Sequence, residues 1–177
     1  MHKDCERILF TEQQLKKRIR EVALEINKKF KGKNPIAVGI LKGSIMFYAD
    51  LVRHLDASVE VDFMAVSSYG SGTVSSGKLK IKKDLQNVDG RDIIIVEDII
   101  DSGFTMANLK ALLSERGAKS VTIVTLLDKK ERREYDIEPD YNCFEIGNEF
   151  VIGYGLDYDE KYRSLPYIAV LKREVYE

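Results

Sequence analysis

Apolar residues recur at helical spacing early in the chain: Leu15, Ile19, Val22 and Ile26 share one face of a 3.6-residue repeat. Thr11 and Gln14 precede them in the Thr-x-x-Gln order of a capping box, so a helix is predicted over residues 12–30, broken by Lys31-Gly32-Lys33-Asn34-Pro35. The opposite face is rich in Lys, Arg and Glu and reads as solvated. The pattern then changes. Residues 36–41 are continuously apolar, as in a strand buried on both faces, and a helix follows over about 45–55. Val59, Val61, Phe63 and Ala65 alternate with Glu60 and Asp62, the mark of a half-exposed strand. Leu79 and Ile81 alternate with Lys78, Lys80 and Lys82 in a strand with one basic face, and Asp89-Gly90 is a turn. Residues 93–96 form a second buried run, followed by a helix from near Met106 with Leu109, Leu112 and Leu113 on one face and Gly117 as its C-terminal cap. Residues 121–127 are a further buried strand, Phe144 and Ile146 read as core strand, and residues 167–171 close the pattern. Strands alternating with helices predict an α/β fold with a mostly parallel central sheet flanked by helices.

One stretch fits neither period. Residues 67–77 hold three glycines and five serines, a long loop for a compact domain, and read as either a lid or a mobile hairpin tip without function. The 177 residues contain no internal repeat, low-complexity tract or linker, so one domain spanning 1–177 is expected. The 28 basic and 29 acidic residues nearly cancel, which leaves no electrostatic footprint for nucleic acid or an anionic membrane, and neither is expected as a partner. The first residues lack the apolar core of a signal peptide, and no apolar run is long enough to span a bilayer. Cys5 and Cys143 stand far apart without metal-ligand spacing, so both thiols are expected to be structural or incidental, in a reduced cytoplasmic setting.

Two strand–turn–helix junctions carry the candidate chemistry. In the first, the run Ile93-Ile94-Ile95-Val96 leads into Glu97-Asp98, then Asp101, then Ser102-Gly103-Phe104-Thr105 ahead of a helix. The N–H groups of such a turn and the helix dipole favour an anion. The carboxylates cannot bind that anion, so they must face hydroxyls, a metal-bound group or a proton. A phosphate pocket beside a row of acceptors suits a sugar phosphate. Three acids crowded there repel one another, and folding alone does not require them. In the second junction Lys42-Gly43-Ser44 follows a buried strand, pairing a cation with a glycine that permits close backbone approach. The run of charges at 128–134 reads as solvated surface on its own.

Val-Glu-Asp-Ile-Ile-Asp-Ser-Gly-Phe-Thr resembles the phosphoribosyl-pyrophosphate (PRPP) motif of type I phosphoribosyltransferases, in the form of the hypoxanthine(-guanine) branch of purine salvage. The resemblance extends over nearly the whole chain through separate motifs in the same order. It implies the family fold, with a small hood built from the chain ends. It also implies transfer of ribose 5-phosphate from PRPP to N9 of a 6-oxopurine, with Mg2+ as cofactor. By that resemblance Glu97 and Asp98 take the ribose hydroxyls, and Asp101, Ser102, Gly103, Phe104 and Thr105 hold the 5′-phosphate. Asp101 is also the candidate general base for the N7 proton. Lys42, Gly43 and Arg163 meet pyrophosphate, and the family's peptide before that lysine can be cis, here between Leu41 and Lys42. Ser68 and Tyr69 match a catalytic lid. Lys129 is implied to donate to the purine 6-oxo group, Phe150 to stack on the ring, Val151 to offer backbone contacts and Asp157 to lie near the base. Mg2+ is expected near Glu97, Asp98 and Asp157, mostly through substrate oxygens and water. Relatives commonly form dimers or tetramers, so a homo-oligomer is expected. A xanthine- or guanine-preferring transferase, and a regulatory nucleic-acid-binding relative, stay open as alternatives.

Overall fold

The structure, a computed structural model, describes residues 1–68 and 79–177. Tyr69 and most of the stretch expected to form a lid lie outside the described residues, while Ser68 is the last residue of a strand. In chain order the strands are β1 (Cys5–Phe10), β2 (Ile36–Leu41), β3 (Glu60–Ser68), β4 (Leu79–Lys83), β5 (Asp92–Ile100), β6 (Ser120–Asp128), β7 (Tyr141–Glu145), β8 (Val151–Ile152) and β9 (Ile168–Leu171). The α-helices are α1 (Glu12–Lys29), α2 (Ile45–Val52), α3 (Phe104–Glu115) and the short α4 (Arg173–Tyr176). No helix among the described residues is long and apolar enough to cross a membrane.

Six strands form a sheet in the order β4-β3-β2-β5-β6-β7, parallel except for the antiparallel β3–β4 pair. The continuous apolar runs have a simple cause: both faces are covered. Ile94, Val96, Val124 and Leu126 point into a core closed by Leu15, Ile19, Val22 and Ile26 of α1 and Phe47 and Leu51 of α2. Val38, Ile93, Ile95 and Ile123 point the other way, against Met106, Leu109 and Leu113 of α3. A second sheet, β1-β9-β8, joins the two ends of the chain and has its own small core of Cys5, Ile152, Ala169 and Leu171.

The caps follow the sequence signals. Gln14 N donates to Thr11 Oγ1 at 3.3 Å and Thr11 N donates to Gln14 Oε1 at 2.9 Å, a complete capping box. Beyond α3, Gly117 N donates to Ser114 O and Ala118 N to Leu113 O, with Gly117 at φ +83°, the Schellman arrangement. Four boundaries differ from the periodicity. β3 runs on past Ala65 to Ser68, and α2 ends at Val52. β5 does not stop at Val96: Glu97, Ile99 and Ile100 keep their partners Thr125, Leu127 and Asp128 on β6, so the acids stand within the ladder. α3 opens at Phe104, because Gly103 adopts a left-handed φ of +88° that turns the chain straight into the helix. β1 carries no legible alternation, and its strand state comes from pairing with β9.

Burial dictates the cost of disturbing this frame. Phe47 is fully buried between α1 and the sheet, and Phe47→Ala is expected to lower unfolding stability by about 3–5 kcal/mol, read as a lower urea midpoint at unchanged slope.

Candidate active site

Strand order fixes where a ligand can sit. β2 neighbours both β3 and β5, so the chain leaves β2 toward one side and the later strands build on the other. In an open parallel sheet the crevice at such a switch, beyond the strands' carboxyl ends, is the binding site. Both junctions singled out from the sequence end there.

The two are in contact. The Leu41–Lys42 peptide is cis. A Cβ at Gly43 would stand 1.6 Å from Asp98 Oδ2, so any side chain here would push that carboxylate aside. Behind Gly43 comes a further glycine: a Cβ on Gly155, at φ +103°, would fall 2.0 Å from the Gly43 carbonyl oxygen. Arg163 fastens this segment, donating to the Gly155 carbonyl at 2.8 Å and pairing with Asp157 at 2.9 Å. Glu160 bridges Lys42 and Arg163, at 3.0 Å from each, and these cations hold its carboxyl below the usual range.

Glu97 is 7% exposed beside Asp98. Burial, with the adjacent Asp98 charge, pushes the Glu97 carboxyl well up; burial also raises Asp98, against the pull of backbone N–H groups and Arg163. Glu97 through Met106 line a cavity of about 240 Å³. Its floor is the first turn of α3, whose N–H groups point outward without helical partners. The Asp101 carboxylate stands 2.8 Å from Arg132 Nε.

The reading of 128–134 as solvated surface holds for Lys130, Glu131, Arg132 and Glu134, which are exposed, but not for Asp128, Lys129 and Arg133. Asp128 is fully buried and ion-paired with the partly buried Arg133. Arg133 Nη1 donates to the Asp101 carbonyl at 3.0 Å, and the N–H groups of Glu134 and Tyr135 both donate to the Ser102 carbonyl. Lys129 N donates to Ile100 O at 2.9 Å. A Cβ on Gly103 would meet Ile137 at 2.6 Å and Arg133 at 2.9 Å, so this strap presses directly on the turn. Asp128 and Arg133 were invisible as site residues in the sequence, since a charge run says nothing about which members turn inward.

Lys129 Nζ is buried and donates to the Glu149 carbonyl at 2.9 Å; burial draws its pKa down, while Asp101 acts in the opposite direction. Phe150 lies outside β8 and is 38% exposed, whereas Val151 is buried in that strand. The cysteines are buried and free, and burial lifts the Cys143 thiol to about 12, which removes it from nucleophilic chemistry. Among the described residues no three His, Cys, Asp or Glu side chains converge on a metal position. The oxygen donors of Glu97 and Asp98 suit a hard cation, but such an ion would need most of its ligands from a bound substrate and water.

Residues 7–159 match the phosphoribosyl transferase domain model. The chain belongs to that family. Over 177 residues it is 51% identical to the hypoxanthine-guanine phosphoribosyltransferase of Streptococcus thermophilus strain CNRZ 1066, covering 99% of this chain and 98% of the relative. It is 52% identical to the enzyme of that name from Bacillus subtilis strain 168, covering 100% and 99%. The crystal structure of a hypoxanthine phosphoribosyltransferase from Staphylococcus aureus superposes with a TM-score of 0.96 at 47% identity, covering 100% of this chain and 97% of that one. The phosphoribosyltransferase fold accounts for the mostly parallel sheet expected from the sequence.

Two outcomes follow from the crowding at β5. Below the ordinary glutamate value of 4.5, Glu97 is protonated whether the chain is folded or not; as pH rises through the elevated folded value, the folded state must carry a buried charge and loses stability. Glu97→Gln is therefore expected to be more stable than the wild type at neutral pH, with the difference shrinking toward pH 4.5, measured by urea unfolding across that range. Gly43→Ala is expected to fold but to displace the Asp98 carboxylate, lowering kcat/KM for the phosphoribosyl donor by roughly tenfold or more in steady-state assays.

Proposed function

We propose that this protein transfers the 5-phosphoribosyl group of PRPP to N9 of hypoxanthine or guanine, releasing pyrophosphate, as a purine-salvage enzyme. The observation that carries this reading is the meeting, at one sheet edge, of the Glu97–Asp98 pair, the Gly43 turn and the α3 N-terminus with the buried ammonium of Lys129. Full-length identity of about half to enzymes of that name supports the same conclusion.

Each group has a chemical task. The turn from Asp101 to Thr105 donates N–H and hydroxyl groups to the 5′-phosphate. Glu97 and Asp98 accept from the ribose hydroxyls, and their charge stabilises the cationic ribosyl carbon that forms as its bond to the pyrophosphate oxygen breaks. As N9 bonds to that carbon, Asp101 takes the proton from N7. Lys129 donates to the 6-oxo oxygen and rejects a 6-amino group, because an ammonium cannot accept. Phe150 stacks on the ring, the backbone of Val151 meets the base edge, and Asp157 lies beside the base. Lys42 exchanges Glu160 for pyrophosphate oxygens, a swap between exposed partners that costs little, and the half-buried Arg163 offers its guanidinium to the same oxygens. Mg2+, associated with Glu97, Asp98 and Asp157 through substrate and water, would neutralise charge on pyrophosphate. The chain-end sheet acts as a hood over the base, and the buried free thiols suit a reducing cytoplasm.

Incubation with PRPP, Mg2+ and each of hypoxanthine, guanine, xanthine and adenine is expected to give nucleotide with the first two and none with adenine. Asp101→Ala should retain PRPP binding while losing most of kcat, and Lys129→Ala should raise KM for hypoxanthine with PRPP affinity kept. Turnover of adenine by the wild type, or unchanged kcat in Asp101→Ala, would refute the assignment.

A further inference from the structure

Phe150 does not stand alone. The ring of Tyr176, from α4, stacks on it with centroids 4.9 Å apart and planes 22° from parallel. Tyr158 meets the Phe150 ring edge-on at 5.7 Å and 87°, and the two tyrosines are themselves 6.5 Å apart. The element that carries Tyr176 is only one turn long but is tied down: Leu171 N donates to the Phe150 carbonyl at 2.9 Å, Lys172 N donates to the Asp4 carbonyl at 3.0 Å, and Val175 packs on the chain-end core. Phe150 and Tyr176 share the wall of a cavity of about 440 Å³ with Glu6, Arg7 and Arg173, and none of the residues from Glu97 to Thr105 lines it. Tyr176 thus covers one face of the Phe150 ring, within a wall built from the chain-end segments.

We propose that Tyr176 is a positioning residue for the purine: its ring backs Phe150 and fixes the plane on which the base stacks. This rests on the reading of Phe150 as the base-stacking ring. An aromatic ring has two faces and an edge. With Tyr176 on one face and Tyr158 at the edge, one face remains for a base, in keeping with the 38% exposure of Phe150. A stacking ring free to tilt must be immobilised when the base binds, which weakens binding; a ring already held in place avoids that cost. The last residues of the chain, remote from the PRPP motif in sequence, thereby contribute to affinity for the acceptor and not for the donor. The hydroxyl of Tyr176 has no part in this, so the aromatic ring alone is required.

The test is steady-state kinetics on the full-length enzyme with hypoxanthine and PRPP varied in turn. Tyr176→Ala is expected to raise KM for hypoxanthine about three- to tenfold, with kcat and KM for PRPP unchanged. Tyr176→Phe is expected to behave as wild type. In a Phe150→Leu background, Tyr176→Ala should add nothing, since the ring it positions is gone. An unchanged or lowered KM for hypoxanthine in Tyr176→Ala overturns the proposal, a lowered value meaning that Tyr176 covers the face the base needs. Loss in Tyr176→Phe, or a parallel rise in both KM values, also overturns it. If Phe150→Leu itself leaves KM for hypoxanthine unchanged, the stacking role of Phe150 falls and the proposal with it. That outcome is distinct from an effect at Phe150 without one at Tyr176.

Discussion

The close approach of Asp98 to Gly43 is the contact on which the rest of the site depends. β2 and β5 are adjacent and parallel, and their carboxyl ends diverge into helices on opposite faces of the sheet. The space between those ends is small. It holds a carboxylate from β5 only because the turn after β2 has no side chain there, and it holds that turn only because Gly155 has none either. Three segments far apart in sequence thus meet through two absent methyl groups. A Cβ at Gly155 would press on the Gly43 backbone, which has no slack to absorb it, and one at Gly43 would swing the Asp98 carboxylate out of place.

Holding Glu97 and Asp98 at the end of a buried strand works against stability. Neither the ladder nor the core needs charge there, and burial pushes both carboxyls toward the neutral form. The surrounding architecture resists this with rigid scaffolding instead of direct neutralisation of Glu97. β5 continues its pairing with β6 past the acids, and the strap after β6 ties Lys129, Arg133, Glu134 and Tyr135 to the backbone at Ile100, Asp101 and Ser102. The turn at 101–105 and the segment around Lys129 are consequently one mechanical unit, anchored by the Asp128–Arg133 pair. A buried ion pair is poor evidence for net stability, and its worth here lies in holding one geometry.

The cations are arranged differently. Lys42 meets Glu160 at the surface, whereas the half-buried Arg163 is also held by Asp157 and the Gly155 carbonyl, and the buried Lys129 is directed by the Glu149 carbonyl. An exposed ion pair exchanges partners readily; a buried, hydrogen-bonded cation keeps one geometry.

Much of this was legible in the sequence. The buried runs, the helical spacing from Leu15 to Ile26, the Thr11–Gln14 box and the Gly117 cap depend on neighbours a few residues away, and local pattern records them faithfully. The acid–turn–helix motif likewise carries its chemistry within ten residues. The sequence could not say that β5 would keep its ladder through Glu97, that β1 would be a strand at all, or that Asp128 and Arg133 would turn inward from a charge run. It also gave no sign that Gly43 answers to Asp98, or that Tyr176 would lie on Phe150. Each of these depends on a partner dozens of residues away, and no periodicity encodes a partner's position. The local order of apolar, acidic and small residues determined the elements and the chemistry they could offer; packing of the β2 and β5 ends against the returning chain decided which groups meet, because only contact across the fold sets burial, register and the space left for a side chain.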